Sequence, residues 1–243
     1  MHILVLQHAD CEHPGFFRSL LEDDGHTWTA IELDAGEAPP PLDGFDALWV
    51  MGGPMDTWQE DIHPWLTGEK DLIRDAVADR GLPFFGLCLG HQLLACALGG
   101  DCGPGTPEIG VLDVHLTEDG ATSLFFDGIE FPVKTLQWHS AEITSLPEGA
   151  KVLATSPDCA VQAMSWGPRA FSMQFHMEVE SDTVDNWSKI PEYAGALETA
   201  MGPDGLDQMR RACAVEMSNF NRAAERVYMN WLQACAQGPG MRG

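Results

Sequence analysis

Positive charge is scarce in this 243-residue sequence: 13 lysines and arginines stand against 37 aspartates and glutamates, a formal net charge of −24. A field of that sign repels phosphate backbones and anionic lipid, which counts against nucleic acid or a membrane surface as a partner. Long apolar runs are also missing, and none approaches the roughly 18–20 residues that span a bilayer. The opening MHILVLQHADCEHPG has neither the basic stretch nor the extended apolar segment of an export signal. Seven cysteines (Cys11, Cys88, Cys96, Cys102, Cys159, Cys213 and Cys235) are odd in number and scattered, with no C-x-x-C pair and no zinc-ligand spacing. No G-x-x-x-x-G-K-[ST] phosphate loop occurs. The expectation is a reduced, cytoplasmic protein with no metal and no organic cofactor.

What is present is core material. Hydrophobic residues make up 44% of the chain, enough for one large α/β domain over 1–243. Short apolar runs at Ile3–Leu6, Thr29–Leu33, Ala47–Met51 and Pro83–Leu87 read as buried strands. Between the last two, Trp65, Leu66, Leu72, Ile73, Ala76 and Val77 recur at helical spacing, with Pro64 at the start and Gly81 just past the end. A second helical run covers Gly90–Leu98. Strands alternating with helices over short connections argue for a parallel sheet covered by helices. After Gly99-Gly100 five strand-like runs follow (Val111–Leu116, Val133–Trp138, Lys151–Ala154, Ala160–Trp166, Ala170–Phe175) with no long helix between them, as expected of mixed or antiparallel strands extending the same sheet. Residues 181–237 are helical in pattern, broken at Gly202-Pro203-Asp204-Gly205, and Arg210–Leu232 should be an amphipathic helix packing on the body.

The most informative stretch runs from Pro83 through G-L-C-L-G-H-Q to Ala95, an apolar strand passing through Cys88 into a helix. Small residues two positions either side of a nucleophile suit a tight strand-to-helix turn, because a larger side chain would crowd neighbouring backbone. Such a turn holds Cys88 in a strained conformation and presents its sulfur at the carboxyl edge of the sheet. The N-terminus of the following helix favours the thiolate. An isolated cysteine is ordinarily a small buried hydrophobe, and Cys96 keeps that reading. Flanking glycines, strand context and Gln92 set Cys88 apart.

These residues resemble the G-x-C-x-G-x-Q signature of class I (triad) glutamine amidotransferases, a likeness covering about residues 1–180. It implies a flavodoxin-like α/β fold, a mostly parallel sheet flanked by helices, with extra strands and C-terminal helices. It also implies hydrolysis of a γ-glutamyl amide through a γ-glutamyl thioester. A second constellation, Phe171-Ser-Met-Gln-Phe-His176-Met-Glu178, supplies a base and its orienter, since residues i and i+2 of an extended segment point to one side. The family has His-x-Glu here, usually with proline between; Met177 in its place suggests a looser turn. Glu180 is the less suited orienter, two residues further on.

Acyl transfer also needs N–H donors for the developing oxyanion. Leu89 supplies one by the geometry of the turn, and Gly53 of Met51-Gly52-Gly53-Pro54 resembles the family loop that supplies the other. Neighbouring parallel strands ending at Met51 and Leu87 would bring both amides together. Gln92 resembles the family glutamine at the substrate's amino-acid end, or is a first-turn residue facing solvent. His139, in Leu136-Gln137-Trp138-His139-Ser140, resembles part of a segment whose backbone holds glutamine, and fits a structural role equally. Gly52 completes the expected substrate-binding set.

Within that family the chain resembles the amidotransferase portion of GMP synthetase, as a stand-alone member with a core over about 1–180 and helices over 181–237. Glutamine is then the substrate, and a partner synthetase is one destination for the ammonia. A γ-glutamyl peptidase or hydrolase would use the same cysteine on another amine, and a non-catalytic regulatory homologue is the third reading.

Overall fold

A computed structural model describes residues 1–237. Nine strands form the sheet: β1 (His2–Gln7), β2 (Thr27–Glu32), β3 (Ala47–Val50), β4 (Phe84–Leu87), β5 (Asp101–Leu116), β6 (Val133–Ser145), β7 (Ala150–Thr155), β8 (Ala163–Trp166) and β9 (Ala170–Met173). Their order is β2-β1-β3-β4-β9-β8-β7-β5-β6. The first five are parallel, and the remainder pair antiparallel as an extension of the same sheet. The helices are α1 (Phe17–Asp23), α2 (Trp65–Arg74, continued by a π turn over Asp75–Asp79), α3 (Leu89–Ala97), α4 (Glu118–Ala121), α5 (Thr183–Trp187), α6 (Pro191–Met201) and α7 (Gly205–Ala236).

Strand alternation divides the core. Ile3 and Val5 point to one side of β1, where they meet Phe17 and Leu21 of α1 and Ala224, Val227 and Trp231 of α7. Leu4 and Leu6 point to the other, against Leu66 and Ile73 of α2 and Leu93 of α3. Covered on both faces, β3 and β4 are apolar at every position, as central parallel strands are. A third cluster joins Leu136 and Trp138 of β6 to Trp187, Tyr193 and Phe220, and so seats the C-terminal helices over one end of the sheet.

The sequence expectations meet this architecture with four adjustments. The strand expected at Thr29–Leu33 is β2, which pairs only with β1; it is an edge strand, half-exposed rather than buried. The helix expected over Pro64–Arg80 changes to a π turn at Asp75, with Gly81 past its end at φ +65°. β5 begins ten residues earlier than the run at Val111, since Pro104, Pro107 and three glycines hide a strand that pairs along β6 with register shifts. α1 was not expected: it is short, and its N-cap residue Phe16 makes no side-chain cap. The helical run after 181 resolves into α5, α6 and α7, broken at Gly202 with φ +73°. The single domain expected over 1–243 includes 238–243, which lie outside the described residues.

α7 is tied to the sheet by Trp231. Its indole meets Trp49 edge-on at 5.3 Å, and its Nε1 donates to the Phe84 carbonyl oxygen at 3.1 Å. Replacing this fully buried indole should cost about 3–5 kcal/mol for Trp231→Ala. Met229→Ala, on the exposed side of the helix, should stay within about 0.5 kcal/mol of wild type. Urea unfolding followed by circular dichroism measures both.

Candidate active site

β4 ends at Leu87, and the chain turns into α3 within one residue, Cys88. That residue has φ +50° and ψ −104°, the one positive φ at a non-glycine position among the described residues. Such a conformation is strained and persists only where surroundings over-determine it. Here they do. Cys88 N–H donates to the Met173 carbonyl on β9, and Gly90 N–H to the Met51 carbonyl past β3. A Cβ on Gly90 would fall on the Val50 carbonyl, and one on Gly86 would come within 2.7 Å of Phe84 and 2.8 Å of the Gly90 oxygen. Both glycines of the sequence motif are required by close approach. The turn that the motif predicts is the turn that forms.

β9 lies beside β4, so the segment leaving it brings His176 and Glu178 to the cysteine. His176 Nδ1 lies 2.5 Å from Glu178 Oε1. With Nδ1 engaged, Nε2 is the ring nitrogen available to Cys88. Burial works against an imidazolium here, but the Glu178 carboxylate and the Cys88 sulfur outweigh it and hold the His176 pKa well above the usual histidine value. Met177, expected to loosen this turn, does the reverse. It is fully buried, and its N–H donates to Glu178 Oε2 at 3.0 Å, a bond proline could not make. Glu180 is turned away to Arg18 Nη2 at 2.6 Å and takes no part in orienting His176.

β3 and β4 are adjacent and parallel, and the Gly52-Gly53 loop therefore meets the start of α3. A Cβ on Gly53 would come within 2.9 Å of Leu89 Cδ2. Among the described residues neither the Gly53 nor the Leu89 N–H has a hydrogen-bond acceptor. Both border a pocket of about 90 Å³ that also holds Cys88, Gln92, His139 and Tyr193. A larger groove of about 890 Å³ lies between α7 and the β5–β6 ribbon and contains none of these residues.

Two substrate-binding expectations acquire a different geometry. Gln92 does not face solvent: it is buried, and its Nε2 donates to Gln174 Oε1 at 2.9 Å and to the Ala141 carbonyl at 3.2 Å. The Gln174 amide nitrogen in turn lies 3.4 Å from Cys88 Sγ, so Gln92 orients a donor toward the sulfur. His139 Nδ1 donates to the Ala141 carbonyl at 3.1 Å, and its Nε2 lies 3.2 Å from Glu108 Oε2. Burial opposes ionisation of Glu108, but His139, Ser156 and Gln162 hold its carboxyl below the usual range.

Glu108, His139 and Cys159 place ligand atoms within 4.8 Å of one another, the one such group among the described residues. Burial pushes the Cys159 thiol up to about 12, and Gln162 Nε2 already donates to Glu108 Oε2 at 2.6 Å. The cluster therefore reads as a histidine–carboxylate contact beside a protonated thiol rather than as a prepared metal centre.

Sequence reasoning missed several neighbours of the site. Glu12 Oε1 accepts from the Tyr193 hydroxyl at 2.5 Å, and burial raises the Glu12 pKa, only partly offset by His176 and that hydroxyl. Tyr193 comes from α6, and Trp187 from α5 packs edge-on to the His176 ring at 4.6 Å. Trp187 Nε1 donates to the Cys11 carbonyl and Trp138 Nε1 to the Tyr193 carbonyl, each at 3.2 Å. The C-terminal helices are thus the roof of the pocket as well as packing. His8, just past β1, could have been noticed as the end of a strand neighbouring β3, where parallel sheets place their sites.

A cysteine at a strand-to-helix turn, a buried imidazole–carboxylate pair and two free amides on an α/β sheet are the groups that thiol-dependent acyl transfer requires. The model of the glutamine amidotransferase class-I family matches residues 24–187, and the chain belongs to that family. The glutamine amidotransferase-like protein YfeJ of Salmonella typhimurium is 34% identical over 76% of this chain and 79% of its own. A GMP synthase of Aeropyrum pernix is 34% identical over 66% of this chain, which spans only 30% of that protein. γ-Glutamyl peptidase 4 of Arabidopsis thaliana is 28% identical over 68% of this chain and 67% of its own. The crystal structure of a glutamine amidotransferase from Methylobacillus flagellatus superposes with a TM-score of 0.85 at 28% identity, covering 99% of this chain and 98% of the other. Among the described residues, no helix is long and apolar enough to cross a membrane.

Glu178→Gln should lower the His176 pKa, because it removes the charge that offsets burial. The imidazole C2–H resonance, followed by NMR as pH is raised, should then titrate at lower pH than in wild type. An unchanged midpoint would sink this account of the pair.

Proposed function

We propose that the protein hydrolyses the γ-amide of glutamine through a γ-glutamyl thioester on Cys88. The observation that carries this reading is the convergence of Cys88 and the free Gly53 and Leu89 amides on one pocket, with the His176–Glu178 pair beside the sulfur. In the forward step the Cys88 sulfur attacks the amide carbon, and the carbonyl oxygen gains negative charge facing the two N–H groups. His176 then gives its proton to the departing nitrogen, and ammonia leaves as the thioester forms. A water attacks the thioester with His176 taking its proton, and glutamate departs with the sulfur restored. Glu178 keeps the imidazole oriented throughout and stabilises its charged form.

In this reading 1–243 acts as one amidotransferase unit, with the helices of 181–237 closing a pocket built by 1–180. Relatives named as GMP synthases support a partner synthetase as the receiver of ammonia. The γ-glutamyl peptidase relative favours a second reading, in which the same thioester forms but a larger amine leaves. A pocket of about 90 Å³ roofed by α6 supports the smaller leaving group. An intact Cys88, His176 and Glu178 speak against a purely regulatory homologue.

Purified protein should release glutamate from L-glutamine, and Cys88→Ala should lower the rate at least ~10³-fold. Turnover of γ-glutamyl dipeptides with none of glutamine would transfer the assignment to the second reading. Inertness toward both, with no labelling of Cys88 by a glutamine-like electrophile, would support the regulatory one.

A further inference from the structure

Just past β1, His8 is fully buried and bonded through both ring nitrogens. Nδ1 lies 2.7 Å from the Gly52 carbonyl oxygen, and Nε2 lies 2.9 Å from Glu69 Oε1 on α2. A backbone carbonyl can only accept, so Nδ1 must carry a proton and donate it. Nε2 faces a carboxylate whose side chain is 1% exposed. Burial opposes a charged ring, but Glu69 outweighs it and the Gly52 carbonyl assists, so the His8 pKa sits above the usual histidine value. The ring is also stacked on Trp65, centroids 5.5 Å apart at 21°, an arrangement that suits a cation.

The position of this pair relative to the pocket matters. The Gly52 carbonyl and the Gly53 N–H are opposite ends of one planar peptide unit. A donor fixed on the carbonyl sets the direction in which the N–H points. Hydrogen bonds in series also polarise one another, so a charged donor on the oxygen makes the N–H a stronger donor. The peptide has little room to turn. A Cβ on Gly53 would come within 2.6 Å of His8 Cβ, and one on Gly52 would collide with the Glu12 carboxylate.

We propose that His8, paired with Glu69, is a positioning residue that aims and polarises the Gly52–Gly53 peptide toward the oxyanion formed during amide hydrolysis. This rests on the glutamine-hydrolysing reading given above. His8 touches no reacting atom and acts through the peptide alone. The pair sits behind the loop, outside the pocket that holds Cys88.

The test compares two reactions of the same sulfur in the full chain. Hydrolysis of L-glutamine develops an oxyanion, whereas alkylation of Cys88 by iodoacetamide displaces iodide at a saturated carbon and develops none. For His8→Phe, kcat should fall roughly ten- to a hundredfold with KM nearly unchanged, less than the ~10²–10³-fold loss of a whole oxyanion donor. The rate of Cys88 alkylation, followed by peptide mass, should match wild type. His8→Gln, which can offer an uncharged N–H to Gly52, should recover part of kcat. If His8→Phe does not fold, Glu69→Gln carries the same comparison. Wild-type kcat in an otherwise active protein, or kcat and alkylation falling together, would overturn the proposal. Wild-type protein inert toward glutamine and γ-glutamyl dipeptides would overturn the parent reading and this one with it.

Discussion

The turn at Cys88 is the constraint on which the site depends. Its backbone occupies a region that side-chain-bearing residues rarely enter, and the cost is of order 1–3 kcal/mol. Three parallel strands hold it there. β3 packs its Val50 carbonyl against Gly90 and leads to the Met51 carbonyl that takes the Gly90 N–H, β4 runs into the turn, and the Met173 carbonyl of β9 accepts the Cys88 N–H. A shift of any of these strands would release the turn. Because all three end at the same edge, the residues that follow them converge on the sulfur: Gly52-Gly53 after β3, Leu89 after β4, His176 and Glu178 after β9. The geometry of the sheet and the chemistry of the pocket are one arrangement.

Charge is handled locally in a strongly acidic protein. Three buried histidines near the pocket each face a buried carboxylate: His176 with Glu178, His8 with Glu69, and His139 with Glu108. A buried ion pair is weak evidence for stability, because desolvation can exceed the attraction. What these pairs do is fix rings. Each has its other nitrogen directed at a defined partner: Cys88, the Gly52 carbonyl and the Ala141 carbonyl, respectively. The acidic surface lies elsewhere and carries the −24 balance.

Legibility in the sequence followed locality. Glycines around Cys88 and the i, i+2 spacing of His176 and Glu178 are short-range signals, and both ended where expected. β3 and β4 announced themselves because strands covered on both faces are apolar at every position. β2 misled, since an edge strand can carry a similar residue run while staying half-exposed, with Trp28 and Ile31 only partly covered. Glu12 and Tyr193 could not be paired, because their contact spans 181 residues and each alone is an ordinary polar side chain. Gln174 was within reach: it precedes His176 by two positions and so shares its side of an extended segment. Gln92 lies in the same pocket as Cys88, but its amide nitrogen is engaged by Gln174 and Ala141.

That contact between Glu12 and Tyr193 has a consequence for the order in which the chain acquires its site during synthesis. At roughly 5–20 residues per second, Glu12 waits about 10–40 s for the hydroxyl that caps it. Trp231, which clamps the last helix onto β3 and β4, arrives later still. The nascent chain thus carries its sulfur-bearing turn in sequence long before the lid exists. Closure of the pocket over Cys88 therefore waits on helices made after every strand of the sheet.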